Sequence, residues 1–299
     1  MTFNNTTKPC AICEDVSCSD VRLLYHFPDY DVLTCSRCGL VYVNEMFTPE
    51  KGEGIPEGYK AIYLPAEELF QVRSEHDVAR INARVSERGK LLDVGCGVGY
   101  LLRAARAKGW EVAGLDLDET AVRIARQAGL NVHWATADEM PFPEATFDVV
   151  TFLNVVEHLP WPHSTLTAIY KALKPGGILV LETPTDDFPL KHVARLLFRC
   201  SGGRITLPVR LLYNSQHTGG HVYRYSRCTI TLLLEKFGFQ VEEILPGENP
   251  PFRLYLSKRN FGKPPLVRIL NAVAFSMVFA AVKLTGLHSR MVVYAHKPG

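Results

Sequence analysis

Residues 90–102, KLLDVGCGVGYLL, restrict the fold of this chain more than any other stretch. A short apolar run, Leu91, Leu92 and Val94 interrupted by Asp93, has the length of one strand buried on both faces. Gly95, Gly97 and Gly99 then alternate before an apolar segment, Leu101, Leu102, Ala104 and Ala105, that opens a helix. Glycine permits a sharp turn and lets a ligand approach the backbone, because no Cβ stands in the way. A strand, a glycine turn and a helix N-terminus in that order build a nucleotide cradle at the carboxyl edge of a parallel sheet. A lone glycine triplet suits an ordinary strand-to-helix turn equally well, so the residues C-terminal to it must decide between the two.

The next landmark is Asp116, seventeen residues beyond Gly99, at the end of a second apolar run that begins at Trp110. A carboxylate there can accept hydrogen bonds from both hydroxyls of a ribose. A helix with apolar residues at Ala121, Val122, Ile124, Ala125 and Ala128 comes next, and a third run from Asn131 to Trp134 leads to Ala137, Asp138 and Glu139. The fourth run, Phe147 to Asn154, passes into Val155, Val156, Glu157, His158 and Leu159. A helical stretch closes with LKPGG at 173–177, and a fifth strand is expected over 178–182. Phe239 to Ile244 reads as a sixth strand, after a helix that Ser226 can cap, and Met291 to His296 as the last. Strands alternating with helices at this spacing predict an α/β fold, a doubly wound, mostly parallel, seven-stranded Rossmann-like sheet.

Two nucleotide classes suit such a sheet. Dinucleotide dehydrogenases carry G-x-G-x-x-G, whereas here Tyr100 and Leu101 come directly after Gly99. The pattern Asp93-x-Gly95-x-Gly97-x-Gly99 resembles the class I S-adenosylmethionine-dependent methyltransferases, as do Asp116 in GLDLDE, Ala137-Asp138, FDVV, VVEHL and LKPGG. The resemblance spans roughly 90–183, with a weaker tail to the C-terminus. It implies S-adenosylmethionine as cofactor and an antiparallel last strand. It also implies that Gly95, Cys96, Gly97 and Gly99 pack against the methionine portion, with Asp93 ordering that loop or meeting the cofactor amine. Asp116 would hold the ribose and Leu117 the adenine face. Asp138, with Glu139 beside it, would accept from the adenine amine, and Asn154 would border the methionine moiety.

The cysteines carry a second signal. Cys10 and Cys13 form one C-x-x-C and Cys35 and Cys38 another, with 21 residues between the pairs. Each pair makes a knuckle presenting two thiolates, and four thiolates close a tetrahedral shell around zinc. A closed shell leaves no position for substrate, so the metal is expected to be structural. Unrelated buried thiols or a redox pair are the competing readings. Residues 1–46 are thus expected to form a small zinc ribbon, 47–88 a linker with cofactor-covering helices, and 89–299 the methyltransferase domain, with insertions at about 184–225 and 246–290. CSRCGLVY resembles the ribbon knuckles that precede methyltransferase domains in bacterial small-molecule and glycan pathways.

The net charge of +2 provides no field to attract nucleic acid. The first 50 residues hold three Lys/Arg against seven Asp/Glu, and an acidic ribbon is a poor phosphate binder. The Asn/Asp-Pro-Pro-aromatic signature of base-amine methylation, which would support a ribosomal RNA base methyltransferase, is absent after the fourth strand, where this chain has Asn154-Val-Val-Glu157; Asn249-Pro-Pro-Phe252 occurs only after the sixth and reads as a loop turn. A non-catalytic module that binds the cofactor or a partner is the other alternative. No basic region with an apolar run behind it opens the chain, and no apolar stretch reaches the roughly 18 residues that span a bilayer. A cytoplasmic protein is expected, with contact at the inner face of the membrane left open.

The acceptor is expected to be a small molecule, a sugar or glycan, or a lipid-linked compound, methylated at a hydroxyl. A hydroxyl must lose its proton as it attacks, and His158 and His221 are the candidate bases. The 184–225 insertion interleaves Lys191, Arg195, Arg199, Arg204 and Arg210 with apolar residues. The 246–290 insertion carries a fourteen-residue, mostly apolar run at 269–282, which is a helix buried in core or interface, or a contact with a membrane surface.

Overall fold

The computed structural model describes residues 10–14, 20–28, 30–44, 67–188, 190–213, 220–247 and 288–299, and single positions at 264, 269 and 276. The first part of the 47–88 segment, up to residue 66, and the body of the 269–282 run lie outside the described residues.

A ribbon sheet is built from β1 (Val21–His26), β2 (Asp31–Cys35) and β3 (Val41–Val43), antiparallel throughout. Helix α1 (Glu67–Asn82) leads into the larger domain. There β4 (Lys90–Val94), α2 (Tyr100–Ala107), β5 (Glu111–Asp116), α3 (Glu119–Gln127) and β6 (Val132–Trp134) form one half. The second half starts with β7 (Phe147–Leu153), α4 (His163–Ala172) and β8 (Leu173–Pro184). Helices α5 (Leu190–Cys200) and α6 (Leu207–Tyr213), the two-residue strand β9 (Tyr223–Arg224), α7 (Arg227–Lys236), β10 (Gln240–Pro246) and β11 (Arg290–His296) complete it.

The seven-stranded sheet has the order β10-β11-β8-β7-β4-β5-β6. Strands β4 to β8 pair in parallel, and β11 runs antiparallel between β8 and β10, as expected of the last strand. Order reverses between β4 and β7, so a cleft opens at their carboxyl ends. Both faces are covered, because alternate residues of each strand serve opposite cores. Leu91, Val149, Val180 and Val292 pack with α1, α2 and α3, whereas Leu92, Val150, Leu179 and Val293 pack with α4 and α7. Strand β8 begins at Leu173, so LKPGG is a kink within a strand rather than a helix end. Gly176 takes φ 75° there and its N–H donates to the Lys297 carbonyl at 2.8 Å. Ser226 caps α7 as expected, accepting from the Thr229 N–H at 3.1 Å while Thr229 Oγ1 accepts from the Ser226 N–H at 2.8 Å.

The inner face of the ribbon, including Leu33, Leu40 and Tyr42, is continuous with the core of the larger domain, and further contacts fasten the two together. Strand β9, from the 184–225 insertion, pairs antiparallel with β3 and becomes the fourth strand of the ribbon sheet. The aromatic face of the ribbon, Tyr25, Phe27 and Tyr30, shares a core with Ala194 of α5 and Val209 and Tyr213 of α6. At the first knuckle, Glu14 pairs with Lys236 at 2.7 Å and with His163 at 3.0 Å. Among the described residues, no helix is long and apolar enough to cross a membrane.

Candidate active site

The glycine turn sits at the carboxyl end of β4 and opens α2, as its sequence requires. Gly95 and Gly99 have φ 81° and 82°, a region that side-chain-bearing residues rarely occupy. A Cβ at Gly95 would stand 2.4 Å from Val155, and one at Gly99 would stand 2.3 Å from Leu130. Both glycines are therefore demanded by the packing of the protein as well as by the turn. Cys96 is buried against Gly114, whose missing Cβ makes room for it, and burial pushes its thiol well above the ordinary range.

Asp116, at the end of β5, holds the turn. Its Oδ2 accepts from the Gly97 N–H at 2.7 Å and its Oδ1 from the Asp118 N–H at 2.8 Å. Burial raises its pKa, and those two hydrogen bonds oppose the shift. Asp93 lies beneath, buried, with its Oδ1 accepting from the Thr151 hydroxyl at 2.7 Å. Burial raises Asp93 to about 7. A carboxyl raised from 3.8 to about 7 on folding favours the folded state fully below about pH 4, and that contribution is lost as pH rises through about 7. Asp93→Asn should therefore gain stability relative to wild type by about 1–3 kcal/mol between pH 4 and pH 8. Urea denaturation of the cofactor-free protein at both pH values tests this; a pH-independent difference would contradict it.

Leu117 sits directly after Asp116, and its carbonyl accepts from Trp134 Nε1 at 2.9 Å. Asp138 and Glu139 lie on the short 3-10 turn after β6. The Asp138 carboxylate accepts from the Ser164 and Thr165 hydroxyls at 2.8 and 2.9 Å, tying the turn to α4, while Glu139 closes a capping box with Thr136. Asn154 directly follows β7 and takes φ 57°, a left-handed conformation that asparagine tolerates better than most residues. Its Oδ1 accepts from Arg290, and its N–H donates to the Glu182 carbonyl at 2.8 Å.

Sequence reasoning did not single out the charged network around Glu182. This carboxylate, 1% exposed at the end of β8, is gripped by Arg73 from α1 and by Arg290 from β11, at 2.5 and 3.2 Å. The two guanidiniums hold its pKa below the usual range against the pull of burial. Glu157, part of VVEHL but given no role by the sequence pattern, is also buried; burial lifts it to about 7. The available signal was a carboxylate beside a histidine in an otherwise apolar strand exit. His158 and His221, 63 positions apart in the chain, meet here with ring centroids 4.6 Å apart. Burial first, then Arg224, His158 and Arg290, depress the His221 pKa far below its ordinary value, so its imidazole is neutral.

The four ribbon cysteines also converge. Cys10 Sγ lies 3.5 Å from Cys38 Sγ, and Cys35 Sγ lies 3.9 Å from Cys13 Sγ; all four fall within 4.8 Å of one another. A disulfide needs about 2.05 Å. Zinc–sulfur bonds of about 2.3 Å in a tetrahedron give edges of about 3.8 Å, and the two separations bracket that value. The cluster thus has the donor chemistry and the spacing of a four-thiolate zinc site.

A family model described as a methyltransferase domain matches residues 67–244. Curated relatives include the ubiquinone biosynthesis O-methyltransferases of Pseudomonas putida, 40% identical over 132 residues (40% of this chain and 54% of the relative), and of Azoarcus sp., 41% identical over 107 residues (33% and 46%). The chain thus spans about half the length of the curated relatives it matches. Among solved structures, a SAM-dependent methyltransferase from Archaeoglobus fulgidus superposes with a TM-score of 0.51 at 19% identity, covering 79% of this chain and 99% of the other. The [4+2]-cyclase SpnF gives 0.50 at 18%, covering 75% and 80%. Likeness at that identity speaks for the fold alone.

Proposed function

Because the chain belongs to the S-adenosylmethionine-dependent methyltransferase domain family, we propose that it methylates a hydroxyl oxygen of a small-molecule, glycan or lipid-linked acceptor. The observation that carries this reading is one sheet edge with two differently equipped sides. The glycine turn and Asp116 stand at the ends of β4 and β5, and Glu157, His158 and His221 gather beyond the end of β7. The O-methyltransferase names of the curated relatives support oxygen as the atom methylated.

When bound, S-adenosylmethionine supplies a methyl group already activated by its sulfonium. The task left to the protein is alignment and exclusion of water. Asp116 fits the ribose, because its carboxylate stands at the end of β5, fixed by backbone N–H donors, and keeps acceptor capacity for a hydroxyl. Leu117 would cover the adenine, Asp138 would accept from its amine, and the backbone of the glycine turn and Asn154 would flank the methionine portion, with Asp93 below. On the other side, His158 and His221 would meet the acceptor hydroxyl. Cys10, Cys13, Cys35 and Cys38 would hold one structural zinc.

Between Leu190 and Tyr213 there are five Lys/Arg and no Asp/Glu, and Val193, Leu196, Ile205 and Leu207 are exposed. A basic surface with apolar residues favours an anionic, lipid-linked member of the acceptor range. A nucleic-acid substrate is weighed down by the acidic ribbon, whose aromatic face and third strand are already used within the chain. Incubation with S-adenosylmethionine and an acceptor panel, reading S-adenosylhomocysteine, tests the proposal. Turnover on hydroxylated lipid-linked or small acceptors is expected. Turnover confined to RNA, or cofactor binding with no turnover on any acceptor class, would overturn it.

A further inference from the structure

Glu157, His158 and His221 are arranged as more than a pair of candidate bases. One ligand atom from each lies within 4.8 Å of the others. Glu157 is 1% exposed; its Oε2 accepts from the Thr183 hydroxyl at 3.0 Å. Its Oε1 faces His221 Nε2 at 3.9 Å, beyond hydrogen-bonding reach. Neither that oxygen nor His221 Nδ1, both inaccessible to solvent, has a hydrogen-bond partner. Orphaned polar atoms in the interior cost about 1–3 kcal/mol each, and native proteins rarely leave them so without a bound species.

The backbone holds this arrangement in place. The Val222 and Tyr223 N–H groups both donate to the Glu157 carbonyl, at 2.7 and 3.2 Å, which fixes the His221 segment against the end of β7. The Val43 N–H donates to the Val222 carbonyl at 2.9 Å, so the ribbon clamps the same segment from outside. Arg224 and Arg290 also face His221. A cation here would therefore be held by direct coordination, not by the field of the site.

We propose that Glu157, His158 and His221 form a second metal site, separate from the four cysteines, that takes a divalent cation suited to nitrogen and oxygen ligands, such as Mn2+ or Co2+. Two imidazoles and one carboxylate are a donor set for borderline first-row metals, whereas four thiolates select zinc. Three protein ligands leave open positions, and the acceptor oxygen can fill one of them. This last role rests on the proposed methyltransferase activity. Coordination lowers the pKa of the acceptor hydroxyl, so its proton leaves to water. The oxygen lone pair then forms the O–CH3 bond as the S–CH3 bond breaks, and that bonding pair returns to sulfur as a neutral thioether.

Mn2+ titration of the purified full chain, monitored by electron paramagnetic resonance, reads the site without any acceptor. Wild type should bind one Mn2+ per chain, with spin-echo modulation from two imidazole nitrogens. His221→Ala and, separately, His158→Asn should weaken Mn2+ binding at least about tenfold and remove one nitrogen coupling each. Zinc content and S-adenosylmethionine affinity, measured on the same samples, should stay unchanged and show that the variants are folded. No Mn2+ or Co2+ uptake by wild type at millimolar concentration, or uptake that both variants retain in full, would overturn the site. Metal-free turnover at the full rate in the presence of a chelator would remove its role in the reaction while leaving the methyltransferase reading intact.

Discussion

Replacing Cys35 with serine is expected to remove the zinc from the protein and lower its stability by at least about 3 kcal/mol, or about 5 °C in Tm for a chain of this size. The effect should be large because the ribbon is stitched to the larger domain, so its loss exposes more than its own small core. Tyr25, Phe27 and Tyr30 would lose register with Ala194, Val209 and Tyr213, and β9 would lose its partner strand. Hydrogen exchange should accelerate first at Val43, whose N–H reaches the Val222 carbonyl next to His221. Metal analysis, thermal denaturation and exchange on wild type and variant check each step. A wild-type protein that carries no zinc, or a variant with unchanged Tm, would require another account of the four cysteines. If the ribbon melts while exchange around Val222 stays slow, the proposed clamp on the His221 segment is not needed.

How much of this was legible in the sequence depended on the range of the interaction. The glycine turn, Asp116 and the capped helix at Ser226 rest on residues close together in the chain, and local pattern identified them. The four cysteines were found at long range because metal ligation leaves a rigid spacing. Strand β9 is two residues long and has no periodicity to detect, so the continuity of the ribbon with the 184–225 insertion could not be read. Glu182 lies 109 positions from Arg73 and 108 from Arg290, and single charged residues at such separations carry no pattern. The insertion shows the same limit. Its composition indicated basic and apolar residues together, and Arg195, Arg199, Arg204, Val193, Leu196, Ile205 and Leu207 are exposed, but composition did not reveal that the same segment buries Ala194, Val209 and Tyr213 against the ribbon. Asp93 and Asp116 illustrate a finer limit. Both were legible as carboxylates at strand ends, but only the structure shows that Asp116 holds the turn while Asp93 is turned to Thr151.

Asp116→Ala should weaken S-adenosylmethionine binding by about 2–4 kcal/mol, about 30- to 1,000-fold in Kd. Two losses combine in that range. The ribose loses a charged acceptor, and the Gly97 and Asp118 N–H groups lose the oxygens that organise the turn for the rest of the cofactor. Asp116→Asn separates them. Its carbonyl oxygen can still accept from one of the two N–H groups, but the amide has no charge and cannot accept at both positions. Partial loss in the asparagine variant, between wild type and alanine, is expected if turn order and ribose contact both contribute. Equal loss in the two variants would assign the effect to charge. Calorimetric titration gives the affinities, and unchanged denaturation of the cofactor-free variants would show that the sheet is intact. Unchanged affinity in Asp116→Ala would remove the cofactor from this sheet edge. Tight binding of a nicotinamide dinucleotide in its place would reassign the cradle altogether, since the same carboxylate can hold either ribose and only the glycine spacing distinguishes them.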